Sequence, residues 1–123
     1  MSDNAATIDT YLAAWSETNP GNRAELVEQV WSDNGRLIDP PMAAEGRTGI
    51  SDMFGVLQGQ FPGHRFERAS GIDAHHEQFR FAWQLVSPTG DVVLQGMDVG
   101  EFDEDGRLKR ITGFFGDLPT KDA

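Results

Sequence analysis

Phe79-Arg80-Phe81-Ala82-Trp83-Gln84-Leu85-Val86 is the stretch whose reading decides the fold. Phe79, Phe81, Trp83 and Leu85 alternate with Arg80, Ala82, Gln84 and Val86, and a period of two places the apolar set on one face of a β-strand. Upstream of Gly63 the apolar spacing is helical, and downstream it alternates. Helices first and strands afterwards define the α+β class.

Going forward from the octet, Ser87-Pro88-Thr89-Gly90 reads as a turn. The next strand, about Val92 to Phe102, puts Leu94, Gly96, Asp98 and Phe102 on one side and Val93, Met97 and Val99 on the other. Both sides are largely apolar, so the second one calls for cover by helices or by a partner. A hairpin turn at Asp103-Glu104-Asp105-Gly106 leads to a last strand in which Ile111, Gly113 and Phe115 oppose Arg110, Thr112 and Phe114. Three or four strands in an antiparallel meander are expected after Gly63.

Going backward, three helices are expected. The first runs roughly from residue 5 to 18, with Ile8, Tyr11, Leu12 and Trp15 at helical spacing, and stops at Thr18-Asn19-Pro20-Gly21. The second has Asn22 as cap, Glu25 at the capping-box position and an apolar face of Leu26, Val27, Val30 and Trp31, and Asp33-Asn34-Gly35 ends it. A short strand from Arg36 to Asp39 follows, halted by Pro40 and Pro41, which lack the backbone donors a ladder needs. Thr48 is read as the cap of helix three, with Asp52 set favourably against the helix dipole. Ile50, Met53, Phe54 and Leu57 share one side, and Phe61-Pro62-Gly63 terminates the helix.

The chain has 123 residues, 38% of them hydrophobic, which fits a single domain over residues 1–123. Its net charge of -10, from 20 acidic against 10 basic residues, repels a phosphate backbone and argues against a nucleic-acid partner. No apolar run approaches the roughly 20 residues of a membrane span. Met1-Ser2-Asp3-Asn4-Ala5-Ala6 has no basic segment leading into an apolar one, so the protein is expected to be soluble and unexported. Without cysteine there is no disulfide and no thiolate metal site, which fits the cytoplasm.

Two aspartates carry the chemical signal. Asp39 lies in Leu37-Ile38-Asp39-Pro40-Pro41 and Asp98 in Val93-Leu94-Gln95-Gly96-Met97-Asp98-Val99, both mostly apolar runs. A carboxylate deprived of water resists ionisation, and such groups cluster at functional sites. Each also has a structural reading: Asp39 as the cap of a turn before proline, Asp98 as a core carboxylate bonded to a backbone amide or paired with Arg36, Arg47 or Arg110. Tyr11, the one tyrosine, faces the core beside Ile8 and Trp15, or else carries its hydroxyl at the rim.

His64 could reach a cavity mouth. His75 and His76, as neighbours on a strand, point to opposite sides and do not face one metal, and no other ligand spacing is present. The acidic run Glu101 to Asp105 lacks the mid-loop glycine and distal glutamate of a calcium loop. There is no Gly-Xaa-Ser-Xaa-Gly elbow and no phosphate-cradling loop with lysine.

Tyr11-Leu12-Ala13-Ala14-Trp15, Ile38-Asp39-Pro40, and Gly96-Met97-Asp98-Val99 through Asp105-Gly106-Arg107-Leu108 to Phe114-Phe115-Gly116-Asp117 together resemble the SnoaL-like, nuclear-transport-factor-2-like superfamily over nearly the whole chain. Within it the placement of Tyr11, Asp39 and Asp98 is most similar to that in ketosteroid isomerases. The resemblance implies a cone-shaped, curved antiparallel sheet packed against three N-terminal helices. It implies a cofactor-independent enzyme that moves a proton next to a carbonyl of a small hydrophobic, steroid- or polyketide-like substrate, as an isomerase or a SnoaL-like cyclase. Asp39 would be the base, while Tyr11 and a neutral Asp98 would share the developing oxyanion. An apolar, substrate-binding pocket would be lined by Phe81, Trp83, Leu85, Ile111, Gly113 and Phe115, with Trp31 and Phe54 from the helical part. The loop Pro41-Met42-Ala43-Ala44-Glu45-Gly46-Arg47 would sit at its mouth and set substrate choice. A homodimer through the sheet is also implied. The superfamily allows two other readings: epoxide hydrolysis by two aspartates and an arginine, Arg36 being nearest to Asp39 in sequence, and a binding or dimerisation module without catalysis.

Overall fold

A computed structural model describes residues 4–122, and every count below is of these residues. The elements in chain order are α1 (Asn4–Ser16), α2 (Pro20–Val30), β1 (Trp31–Asp39), β2 (Met42–Glu45), α3 (Gly46–Gln60), β3 (Arg65–Arg68), β4 (Asp73–His75), β5 (Gln78–Val86), β6 (Val92–Phe102) and β7 (Leu108–Phe115).

The helical spacing in α1 has the expected outcome: Ile8, Tyr11, Leu12, Ala14 and Trp15 are buried on one face. The start of α2 differs from the sequence reading. Its cap is Asn19, whose side chain accepts from the Asn22 amide, and Pro20 takes the first turn, where a missing N–H costs nothing. Trp31 likewise leaves the helix for the strand, because β1 begins there and Ser32 fixes its start by donating from Oγ to the Leu108 carbonyl. Nor does Thr48 cap α3, which starts two residues earlier with Glu45 at the cap position. Asp39 does end β1, and the two prolines turn the chain into β2, a strand that the sequence reading left as loop.

The strands after Gly63 pair antiparallel as expected, and the sheet as a whole is mixed because β1 joins it in parallel. Its order is β2-β1-β7-β6-β5-β3, with β4 on the remaining part of β5, and β1 runs parallel to β7. It is curved and unclosed, with β2 and β3 at its open ends. The helices pack in its concavity, so the core lies between Ile8, Trp15, Val27, Ile50 and Phe54 on one side and Phe79, Phe81, Trp83 and Ile111 on the other. Gly96 helps the sheet curve around this filling: a Cβ there would run into the Trp83 ring and the Phe114 carbonyl. Among the described residues, no helix is long and apolar enough to cross a membrane.

His75 and His76 depart from their expected divergence. His75 closes β4, but His76 occupies the following turn with φ of +53°, and this left-handed kink brings the two Nδ1 atoms to 3.0 Å.

Candidate active site

Three strands set the centre of the site. Asp98 in β6 pairs with Gly113 in β7, and Ile38 pairs with Thr112, which brings Asp39 alongside Gly113 on the other flank. Asp98, Gly113 and Asp39 therefore form a row across the concave face, with a glycine in the middle. A Cβ at Gly113 would collide with Asp39 Oδ1 and come within 3.0 Å of Asp98 Oδ1. The missing side chain is the space into which both carboxyls lean.

Helix α1 supplies the third polar group. Tyr11 is almost fully buried, and its ring is held edge-on by Trp15, Trp31 and Phe54, with ring centroids 5.9–6.5 Å away. So caged, its Oη donates to Asp98 Oδ2 at 2.9 Å. The other oxygen, Asp98 Oδ1, accepts from the indole Nε1 of Trp83 at 3.0 Å. The sequence pattern marked Trp83 only as an apolar residue; its N–H gives it a polar task that periodicity does not show.

These surroundings set the titration. Burial pushes the Asp98 carboxyl up to about 8, the charge of Asp39 adds to the rise, and the bonds from Tyr11 and Trp83 oppose it. Half-buried Asp39 is pushed up to about 6 by desolvation. Among the described residues its carboxylate has no hydrogen-bond or ion-pair partner. Tyr11 is raised well above the ordinary phenol value by burial first and then by the two carboxylates. Near neutral pH the arrangement holds one reachable base, one neutral acid and one un-ionised phenol, with Asp39 and Asp98 titrating as a coupled pair.

Above this centre lies a cavity of about 220 Å³. Tyr11, Leu12, Trp15, Trp83 and Asp98 form its buried floor, and Leu57, Phe66 and Leu94 its walls. Pro41, Met42, Gln60, Phe61 and the exposed Phe115 make the rim. The hairpin that begins at Pro41 therefore does reach the mouth. Of the apolar residues expected to line a pocket, Trp83 and Phe115 do so. Trp31, Phe54, Phe81, Leu85 and Ile111 are instead core residues, at most 2% exposed, because large side chains on a concave face fill the space behind the cavity before any can border it.

The arginines are elsewhere. Arg36 faces Glu45 at 3.8 Å, Arg47 donates to the Trp31 carbonyl at 2.9 Å, and Arg110 lies 3.7 Å from Glu101. Among the described residues, no arginine, lysine or histidine borders the cavity, so these residues do not assemble the aspartate–arginine set of an epoxide hydrolase there. His64 bonds the Pro62 carbonyl and meets the Phe61 ring just outside the rim. No group of three or more potential metal ligands occurs among the described residues.

The profile of the SnoaL-like domain matches residues 8–111, and the chain belongs to the SnoaL-like family. A candidate isomerase of that family from Agrobacterium tumefaciens is 40% identical, with a TM-score of 0.88 over 95% of this chain and 100% of that one. A candidate SnoaL-like polyketide cyclase from Jannaschia shares the fold at 15% identity and a TM-score of 0.66, over 90% of this chain and 85% of its own. A protein with a ketosteroid isomerase-like fold from Catenulispora acidiphila, solved with trimethylamine, does so at 11% identity and 0.71, over 89% and 85%. No functionally curated protein matches the sequence.

Proposed function

We propose that this protein is a cofactor-independent, isomerase-like enzyme that moves a proton next to a carbonyl of a small hydrophobic substrate. The observation that carries the reading is the unpartnered Asp39 carboxylate beside a neutral Asp98–Tyr11 pair over Gly113. Ionised above about 6, Asp39 takes the proton from the carbon next to the carbonyl, and the C–H electron pair moves to the carbonyl oxygen. Tyr11 donates to that oxygen, and Asp39 returns the proton to another carbon of the conjugated system.

The hydrogen bonds favour a division of labour in which Asp98 acts through Tyr11. Trp83 donates to Oδ1, so the proton of the neutral acid belongs on Oδ2, the oxygen that faces the phenol. When substrate binds, the Tyr11–Asp98 bond reverses: Asp98 donates to Tyr11 Oη, and the phenol proton turns to the substrate oxygen. Aligned donors of this kind strengthen one another in a low-dielectric site.

The test is exchange of the α-proton of cyclic enones in deuterated water. Asp39→Asn keeps the side-chain shape and is expected to slow exchange by roughly 10²–10⁴-fold. Exchange at an undiminished rate in that variant would remove the base assignment.

A second reading, a small-molecule-binding module without catalysis, is favoured by the Catenulispora acidiphila neighbour, which holds an amine. It expects saturable binding with no Asp39-dependent exchange. The convex face of the sheet supports pairing of two copies: Val93, Met97 and Phe114 are 48%, 40% and 56% exposed there, and an isologous contact would cover them twice over. A cysteine-free composition supports a cytoplasmic location.

A further inference from the structure

We propose that the cavity selects an uncharged, single-ring compound that presents one carbonyl or hydroxyl oxygen to Tyr11, and that it excludes four-ring steroids and ionic ligands. This rests on the proton-transfer reading and adds to it the size and charge of what can enter.

Size comes from volume. The cavity holds about 220 Å³, below the roughly 300–1,000 Å³ of sites that enclose drug-sized ligands. Its floor is fixed by residues that cannot yield cheaply: Trp83 is pinned through Nε1 to Asp98, and Trp15 packs on Phe54 with ring centroids 4.1 Å apart. Behind the floor the described residues pack as a close core that includes Trp31, Phe54 and Phe81.

Shape comes from the distribution of polar atoms. Tyr11, Asp39 and Asp98 meet at one end over Gly113, whereas Leu12, Trp15, Leu57, Phe66 and Leu94 supply the body. A ligand that fits both parts has one oxygen at one end and hydrocarbon elsewhere.

Charge follows from what is absent around it. Among the described residues no cationic side chain borders the cavity, so an incoming carboxylate or phosphate would meet Asp39 with none of them to balance it. A cation fares little better. Both oxygens of Asp98 are already engaged, one with Tyr11 and one with Trp83, so an ammonium would have Asp39 alone and would neutralise the base that the chemistry needs.

The experiment titrates the wild-type protein with four probes: 4-ethylphenol, a phenolic four-ring steroid, 4-ethylbenzoate and benzyltrimethylammonium. A phenol is a stable enol and stays uncharged at pH 7. The readout is the NMR signal of the Trp83 indole N–H, assigned with Trp83→Phe. 4-Ethylphenol is expected to shift it saturably, with a Kd at least roughly tenfold below those of the other three. Equal or tighter binding of the steroid would overturn the size limit, and preference for the benzoate or the ammonium would overturn the charge rule. No binding by any probe would overturn both. Exchange assays on cyclohexenone and on a four-ring enone separate this inference from the reading beneath it. Phenol binding without any exchange leaves the ligand class standing and removes the proton transfer. Exchange of the four-ring enone alone does the reverse.

Discussion

Asp98 and Glu101 belong to the same strand, β6, and point to opposite faces of the sheet. On the convex face Glu101 has Lys109 and Arg110 at 3.7 Å, an ordinary solvent-edge arrangement of weak, screened pairs. On the concave face Asp98 has no cation, only two neutral donors and a neighbouring acid, and burial holds its proton up to about 8. Backbone, residue class and strand are shared, so the difference is made by alternation alone. One face offers countercharge and water, and the other withholds both.

The contrast can be broken most severely at Gly113. Gly113→Ala puts a methyl where the two carboxyls converge. Turnover is expected to fall by about 10²-fold, since an ångström of misplacement is worth that much. Overpacking should cost about 1–3 kcal/mol in urea denaturation. Wild-type turnover in this variant would show that the carboxyls do not need the space.

Asp98→Asn sharpens the comparison with a smaller effect. The amide keeps the shape and a donor, so exchange at pH 7 is expected to stay within roughly tenfold of wild type. The pH–rate profile should change form instead. Wild type needs Asp39 ionised and Asp98 protonated, which gives a bell between about 6 and about 8, and the variant should lose the alkaline limb. Stability follows the same protons. Both folded-state values lie above the ordinary 3.8, so the folded protein retains protons that the unfolded chain releases. That contribution is whole below 3.8 and is lost as pH rises through about 8 in wild type, whereas in Asp98→Asn its loss is complete near 6. Denaturation midpoints at pH 5 and pH 9 check this, and equal slopes in the two proteins would refute it.

The convex face should matter least to turnover. Phe114→Glu places a charge at the centre of the exposed apolar patch and is expected to convert a dimer to monomer in light scattering, with less than about a twofold change in exchange rate. A wild-type protein that is monomeric at the outset would remove the pairing.

Much of this layout was legible in the sequence. Local signals carry it: apolar spacing places Tyr11 beside Ile8 and Trp15 and Asp98 on the face shared by Leu94 and Phe102, and the two prolines end β1 at Asp39. What escaped depended on partners distant in sequence or on single atoms. The parallel pairing of β1 with β7 joins residues from opposite halves of the chain. Trp83 is apolar to a periodicity argument, and only its neighbour reveals what its N–H does. β2 was too short and too rich in alanine to stand out from a loop. Asn19, by contrast, carries a readable signal in the proline after it, which competes with the capping-box spacing of Asn22 and Glu25.

The gap at Gly113 also ties together two positions that belong to different strands and enter the sequence far apart. An added methyl at 113 collides with the Asp39 carboxyl, and once residue 39 has lost that carboxyl only the closer fit against Asp98 Oδ1 at 3.0 Å remains. The two substitutions are therefore coupled: the cost of filling the glycine depends on which side chain stands at residue 39.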